Sequence, residues 1–474
     1  MYEDNLVLLF EKWAGEKAQK ITPLALSGSD RKYNRMFSKN KTALGVYNSD
    51  TKENLAFVEF SKHFLAQGLS VPKIYDEEVT QDIYLIEDLG DITLFSFLTK
   101  EKEKSIFTDD LKSIYFKVLK ALPQFQINAG KSLNYSLCYP RSRFDKQSMM
   151  WDLNYFKYYF LKLAKIPFDE QALEDDYQVF TDYLLEAEQD YFLYRDFQSR
   201  NIMIVQDEVY FIDYQGGRKG ALQYDLASLL YDAKAEIPQS VREELLTFYI
   251  AELKTYMEVD EVVFRKQFTA YVLIRIMQAM GAYGFRGFYE KKAHFLASIP
   301  PALANLEFVL RELNLPIKLP TLLPVLNQLV KSEKLQEIGA HRSKLVVSVN
   351  SFSFKRGVPI DESGHGGGFV FDCRALHNPG RYDDYKVLTG KDLKVIEFLD
   401  KEADVAFFRE NTLNLIDQSV EKYLERNFAH LTVNFGCTGG QHRSVYMAEL
   451  VTQHLKNKYN IKVKLRHREQ EMKA

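Results

Sequence analysis

At 474 residues the chain is too long for a single hydrophobic core, so two or three packing units are expected. Its 46% hydrophobic and 27% charged residues are those of a soluble globular protein, and a net charge of −3 carries no overall signal for nucleic acid. No apolar run approaches a membrane span, and acidic Glu3 and Asp4 do not suit a signal peptide. The three cysteines, Cys138, Cys373 and Cys437, are scattered and odd in number, which suits reduced thiols in a cytoplasmic protein without membrane contact.

In chain order, residues up to about 94 read as a small β-rich lobe with one helix. Turn chemistry at 26–31 opens into a strand, Thr42–Tyr47 is the next strand, and 56–67 has helical periodicity. Residues 84–90 are an apolar strand running into an acidic turn. From 94 to about 315 the chain reads as mostly helical. There Asp145, Asp152 and Tyr155, at spacings of seven and three, are expected on one helical face, and Arg275, Gln278 and Tyr283 lie on a helix ending at glycines. Pro316, Pro320 and Pro324 then punctuate the chain, giving domains at 1–325 and 341–474 with a linker at 326–340. The charge shifts there too: from His341 onward 21 basic residues face 17 acidic ones, a net +4 against −7 before it.

Two stretches carry chemistry. In the first, Asp196 is followed by Asn201, and two apolar β-type runs then end on Asp213. Phosphoryl transfer uses this set: one carboxylate orients or deprotonates the attacking hydroxyl, while an Asn and a second carboxylate hold Mg²⁺ against the phosphates. The plainer alternative is a turn with a capping Asp and an acidic strand end. In the second stretch, residues 430–445 read as a period-two strand, a glycine turn and a helix. That order aims the N–H groups of Thr438, Gly439 and Gly440 and a helix dipole at an anion, with Arg443 adding a fork of donors. The Cys437-x5-Arg443 spacing also matches a phosphatase loop with a nucleophilic thiolate, although no general acid is identifiable.

The strings LYRDFQSRNIM and YFIDYQGGRKGALQYDLASLL resemble the aminoglycoside phosphotransferase family, and within it the cell-wall amino-sugar kinases acting on N-acetylmuramate and N-acetylglucosamine. The resemblance implies an α+β bilobal protein-kinase-like domain, with a small β-rich lobe and a large helical lobe, that uses ATP and Mg²⁺. It implies Asp196 as catalytic base, Asn201 and Asp213 as metal ligands, and Asp225 as the brace of the catalytic loop. Tyr194 stands where the family usually has His. Gly28 and Ser29 would face the nucleotide phosphates, and the backbone near Glu87 to Leu89 would bond adenine. The strand at 42–47 offers no lysine to pair the phosphates, a feature these amino-sugar kinases share. Asp145, Asp152 and Tyr155 would line the sugar pocket.

Further along, VSVNSFSFKRG (347–357), FVFDCRALHNP (369–379), LTGKD (388–392), FGCTGGQHRSVY (435–446) and LRHRE (465–469) resemble the carboxy-terminal domain of the RapZ family, RNase adaptors that sense glucosamine-6-phosphate. This implies a smaller α/β domain in which Asp372, Thr438, Gly439, Gly440 and Arg443 bind a phosphorylated amino sugar. A family His after the Asn-Pro pair is Gly380 here, with His377 nearby as a substitute. RapZ proteins bind RNA, and the basic tail (Lys456, Lys458, Lys462, Lys464, Arg466, Arg468) permits such contact. The joint expectation is a kinase phosphorylating an amino-sugar hydroxyl, fused to a phosphosugar sensor. The rival is a non-catalytic regulator binding RNA or a protein.

Overall fold

The structure is a computed structural model that describes residues 2–24, 31–102, 107–340, 345–361, 367–426, 428–459 and 461–471. Two compact units divide it: Met1–Glu290 with Ser298–Gln336, and Lys291–Ala297 with Glu337–Ala474.

The first unit opens with a five-stranded antiparallel sheet in the order β1-β2-β3-β5-β4 (β1 Lys20–Pro23, β2 Lys32–Phe37, β3 Thr42–Tyr47, β4 Ile74–Glu78, β5 Ile83–Ile86). Two helices accompany it where the sequence suggested one. The additional helix, Tyr2–Ala14, forms because Leu6, Leu9 and Phe10 share one face, which packs on Met36, Ala43, Ile83 and Leu85. Gly45 of β3 is required there, since a Cβ would lie 2.7 Å from the Leu6 side chain. The other helix, Thr51–Ala66, starts where the Asp50 carboxylate accepts the Glu53 N–H, and it buries Phe57, Phe60 and Phe64.

The remainder of this unit is a helical lobe, giving the two-lobed α+β arrangement expected. The helix Glu261–Tyr283 is buried along most of its length and packs against Lys146–Phe156, Leu222–Leu230 and Ile299–Glu312. Between the helices run two short ladders, β6 (Tyr191–Leu193) with β9 (Arg218–Gly220), and β7 (Ile202–Val205) with β8 (Glu208–Phe211). Residues 326–340, read as a linker, are mostly helical: Leu322–Val330 and Glu333–Ala340. The first of these is anchored to the helical lobe, because the Asp176 carboxylate accepts the N–H groups of Thr321 and Leu322, both at 2.7 Å.

The second unit is a four-stranded parallel sheet in the order β11-β12-β10-β13 (β10 Val346–Ser353, β11 Gly368–Asp372, β12 His430–Cys437, β13 Lys462–His467). The period-two expectation for β12 fails: every residue from Leu431 to Cys437 is buried, because an inner strand of a parallel sheet is covered on both faces. The edge strand β13 does alternate. No helix among the described residues is long and apolar enough to cross a membrane.

Candidate functional site

The loop that carries Asp196 leaves β6 and is held by Asp225, near the start of the helix Leu222–Leu230. Its fully buried carboxylate accepts the N–H groups of Tyr194 (2.8 Å) and Arg195 (3.0 Å), fixing the two residues before Asp196. Burial pushes the Asp225 carboxyl up to about 7, against the lowering effect of those donors and of Gln126. Arg195 sits at φ +83°, a left-handed conformation uncommon for a side-chain-bearing residue, and needs external restraint. Asp152 supplies it through two hydrogen bonds from the guanidinium, at 2.8 and 2.6 Å. Tyr224 accepts another at 2.6 Å, and the Phe144 ring lies 4.8 Å away.

Of the three residues expected on one helical face, two lie on the helix and one does not. The helix begins at Lys146, and Asp145 is its extended N-cap, accepting the Ser148 N–H and pairing with Arg141. Asp152 faces Arg195, whereas Tyr155 packs among Tyr159 and Phe285. Helical spacing does not extend to a residue outside the helix, so Asp145 leaves the expected face while Asp152 and Tyr155 keep their spacing of three. Arg275 is likewise engaged internally, donating to Ser228 (3.0 Å) and Gln278 (2.5 Å).

Asp196, Asn201 and Asp213 come together around the loop. The Asn201 amide donates to the Asp196 carbonyl at 2.9 Å and to the Asp213 carboxylate at 3.1 Å. Asp213, at φ +71° just past β8, also accepts from Gln215 at 2.7 Å. Burial raises the Asp213 carboxyl above its ordinary range, and the nearby Asp196 charge raises it further, while Gln215, Arg31 and Arg200 act the other way. No group of three or more His, Cys, Asp or Glu suited to a metal occurs among the described residues. The donor set here, one carboxylate with one amide, nonetheless suits Mg²⁺, which keeps several waters and takes its remaining oxygens from phosphates.

Of the residues expected to face a nucleotide, Gly28 and Ser29 lie outside the described residues. Past β5, the Glu87 N–H donates to the Lys73 carbonyl (2.9 Å) and its carboxylate accepts the Lys73 N–H, while Leu89 is buried. Sequence reasoning missed a cluster beside Asp213. Glu53, near the start of the helix Thr51–Ala66, lies 3.0 Å from Arg31 and accepts from Asn48 (2.9 Å) and Gln215 (3.2 Å). The available signal was Glu53 three residues after the capping Asp50.

In the second unit the loop after β12 exposes Thr438 and Gly439. Gly440 adopts φ +66° and its N–H donates to Cys437 Sγ at 3.2 Å; a Cβ there would lie 2.3 Å from Glu469. Arg443 is a fork only partly engaged, through its Nη1. As a buried residue opening the helix Arg443–Lys458, its guanidinium donates to the carbonyls of Arg374 (2.8 Å) and Leu376 (2.7 Å). Its Nε has no hydrogen-bond partner among the described residues. Arg443 therefore ties the 373–376 turn to the loop through Nη1, and its Nε–Nη2 edge makes no hydrogen bond among the described residues. Asp372 caps that turn through the Arg374 N–H and pairs with the Arg374 guanidinium at 2.6 Å. His377 is 3.1 Å from Glu402 and 3.3 Å from the Tyr382 hydroxyl. Gly380 abuts His442, 3.1 Å from where its Cβ would stand, so an imidazole at 380 would meet one already in place.

Among curated proteins the chain is 40% identical over 134 residues to a nucleotide-binding protein of Xanthomonas axonopodis pv. citri (28% of this chain, 45% of that protein). It is 34% identical over 185 residues to a nucleotide-binding protein of Xylella fastidiosa (38% and 61%). The chain thus spans about half the length of the curated relatives it matches. Similar solved structures include a choline kinase of Streptococcus pneumoniae (14% identity, TM-score 0.43, covering 65% of this chain and 99% of that one). An ethanolamine kinase of Plasmodium vivax gives 13% identity and a TM-score of 0.46, covering 65% and 85%. Residues 345–471 match the RapZ C-terminal domain. Residues 20–261, just over half the chain, match the phosphotransferase enzyme family, and the chain belongs to that family.

Proposed function

We propose that the first unit transfers the γ-phosphoryl group of ATP to a hydroxyl of a small-molecule acceptor, an amino sugar, and that the second unit binds a phosphorylated amino sugar such as glucosamine-6-phosphate. The observation that carries the kinase reading is the meeting of Asp196, Asn201 and Asp213 on a loop braced by Asp225. Asp196 takes the acceptor proton, and Asn201 and Asp213 hold Mg²⁺. Bound there, the ion supplies neutralisation of the phosphate charge. Asp225, Asp152 and Arg195 keep the base in place and touch neither substrate.

The sensor reading rests on the resemblance of residues 345–471 to the RapZ domain and on the exposed Thr438 and Gly439 ahead of a helix start. The absent lysine on β3 favours a second reading, a non-catalytic regulator with RNA or a protein as partner. ADP release measured with Mg-ATP across amino sugars, sugar phosphates and aminoglycosides separates the two. Acceptor-dependent turnover supports the kinase, whereas nucleotide binding without turnover on any acceptor supports the regulator.

A further inference from the structure

The sheet of the first unit lacks a β3 lysine, yet its inner face is not without a cation. Lys41, just before β3, is turned elsewhere: its ammonium donates to the Trp13 carbonyl at 3.2 Å and lies over the Trp13 ring. Lys32 on β2 lies over the rings of Tyr2 and Tyr47. Arg31, immediately before β2, is different, because only 4% of its side chain is exposed. Its Nη2 stands 3.0 Å from the Glu53 carboxylate without aligning for a hydrogen bond, and the Tyr33 hydroxyl is also a neighbour, yet neither Nε nor Nη2 makes an aligned hydrogen bond among the described residues. Two more buried polar atoms in the same cluster are also unsatisfied, Tyr84 Oη and Gln215 Oε1. Buried donors of a charged group are costly to leave unpaired, and several gathered at one place mark a site shaped for a polar ligand.

The neighbours indicate the ligand's charge. Glu53 is bonded by Gln215, Gln215 bonds Asp213, and Asp213 accepts from Asn201, so Arg31 joins the metal-binding end of the site through one chain of contacts. In protein kinases a lysine on β3 pairs with a glutamate on the following helix and reaches the phosphates. Glu53 occupies the matching helix here, and its cationic partner comes from the neighbouring strand.

We propose that Arg31 is the phosphate-positioning cation of this kinase domain, delivered from the start of β2 in place of a β3 lysine, with its unpaired donors directed at the polyphosphate of a nucleotide. This rests on the kinase reading above. A guanidinium suits the position because it stays charged when buried and presents several donors to phosphate oxygens at once. Its contribution depends on the phosphates and not on the nucleoside.

The test is calorimetry of the full chain with ADP plus Mg²⁺ and, separately, with adenosine. It compares wild type, Arg31→Met and the double variant Arg31→Met/Glu53→Gln, the last leaving no lone charge behind. The expected result is a loss of about tenfold or more in ADP affinity in both variants, with adenosine affinity unchanged. ADP binding equal to wild type in a folded variant would overturn the assignment. A parallel loss of ADP and adenosine would also overturn it, since Arg31 would then merely hold the lobe together. Wild type that binds no ADP would remove the kinase reading itself, a result distinct from either.

Discussion

Asp152 lies at the parting of two roles, sugar ligand and support of the catalytic loop, and replacing it by alanine tells them apart. The carboxylate takes two hydrogen bonds from Arg195, with side-chain exposures of 11% for Asp152 and 16% for Arg195. Removing one partner of a buried pair costs about 3–5 kcal/mol, chiefly because the other charge is stranded. Residual exposure and the remaining bond to Tyr224 place this case near the lower end, about 3 kcal/mol. With a urea slope of about 2–3 kcal/mol/M, the midpoint should fall by roughly 1 M. Both tryptophans, Trp13 and Trp151, lie in the first unit, so intrinsic fluorescence follows its unfolding alone. Arg195→Met combined with Asp152→Ala should cost less than the two changes added together, since neither charge is then left alone. An Asp152→Ala midpoint within about 0.2 M of wild type, with a raised KM for the acceptor, would refute the reasoning and restore Asp152 as a sugar ligand.

Asp196→Asn should abolish phosphoryl transfer while Mg-nucleotide binding persists, whereas Asp213→Asn should weaken that binding; turnover at the wild-type rate in both would remove the catalytic assignment. Asp225 gives a pH dependence of definite sign. With its folded-state pKa raised to about 7, the folded chain keeps a proton that the unfolded chain releases near its ordinary value of about 4. Its contribution to stability therefore falls as pH rises from about 4 to about 7 and is flat above that. The stability of wild type relative to Asp225→Asn should decline over this window, and a rise there would contradict the burial argument. Arg443→Ala should lower the unfolding temperature of the second unit as well as its affinity for glucosamine-6-phosphate, because the side chain holds the carbonyls of Arg374 and Leu376. Weaker binding with unchanged stability, read by calorimetry, would return Arg443 to a purely ligand-facing role.

The meeting of Asp196, Asn201 and Asp213 was legible because it is local in the chain: the three fall within one loop and one hairpin, so spacing alone nearly dictates it. The place of Asp145 on a helical face was not, because periodicity cannot say where a helix starts. A residue at the N-cap spends its carboxylate on the backbone, as Asp145 does on Ser148, and leaves the helical face it was assigned to. Asp152 shows a second limit: its partner Arg195 lies far along the chain, and a cross-chain ion pair leaves no periodic trace. The same holds for Arg31 and Glu53, since inspection of β3 alone finds a missing lysine and cannot see a cation arriving from the adjacent strand. Burial of both faces of β12 was hidden for a related reason: Thr432 and Asn434 mimic an outward-facing row, but they lie between β10 and β11.

Cys437 shows how the same loop can satisfy a motif and yet decline its chemistry. A phosphatase thiolate must reach phosphorus in line, which requires an exposed sulfur facing the anion. Here Cys437 is only 3% exposed, and its sulfur takes the Gly440 N–H at 3.2 Å and lies 3.1 Å from the Ser444 hydroxyl, so it is spent in shaping the turn. The exposed positions are Thr438 and Gly439, ahead of the helix start, where backbone donors rather than a nucleophile are presented. Cys437→Ser should accordingly leave phosphosugar binding unchanged within about twofold, because a hydroxyl can accept the same N–H. A wild-type phosphatase activity that vanishes in that variant would show that the loop opens to expose the sulfur, and would reverse the order of the two readings.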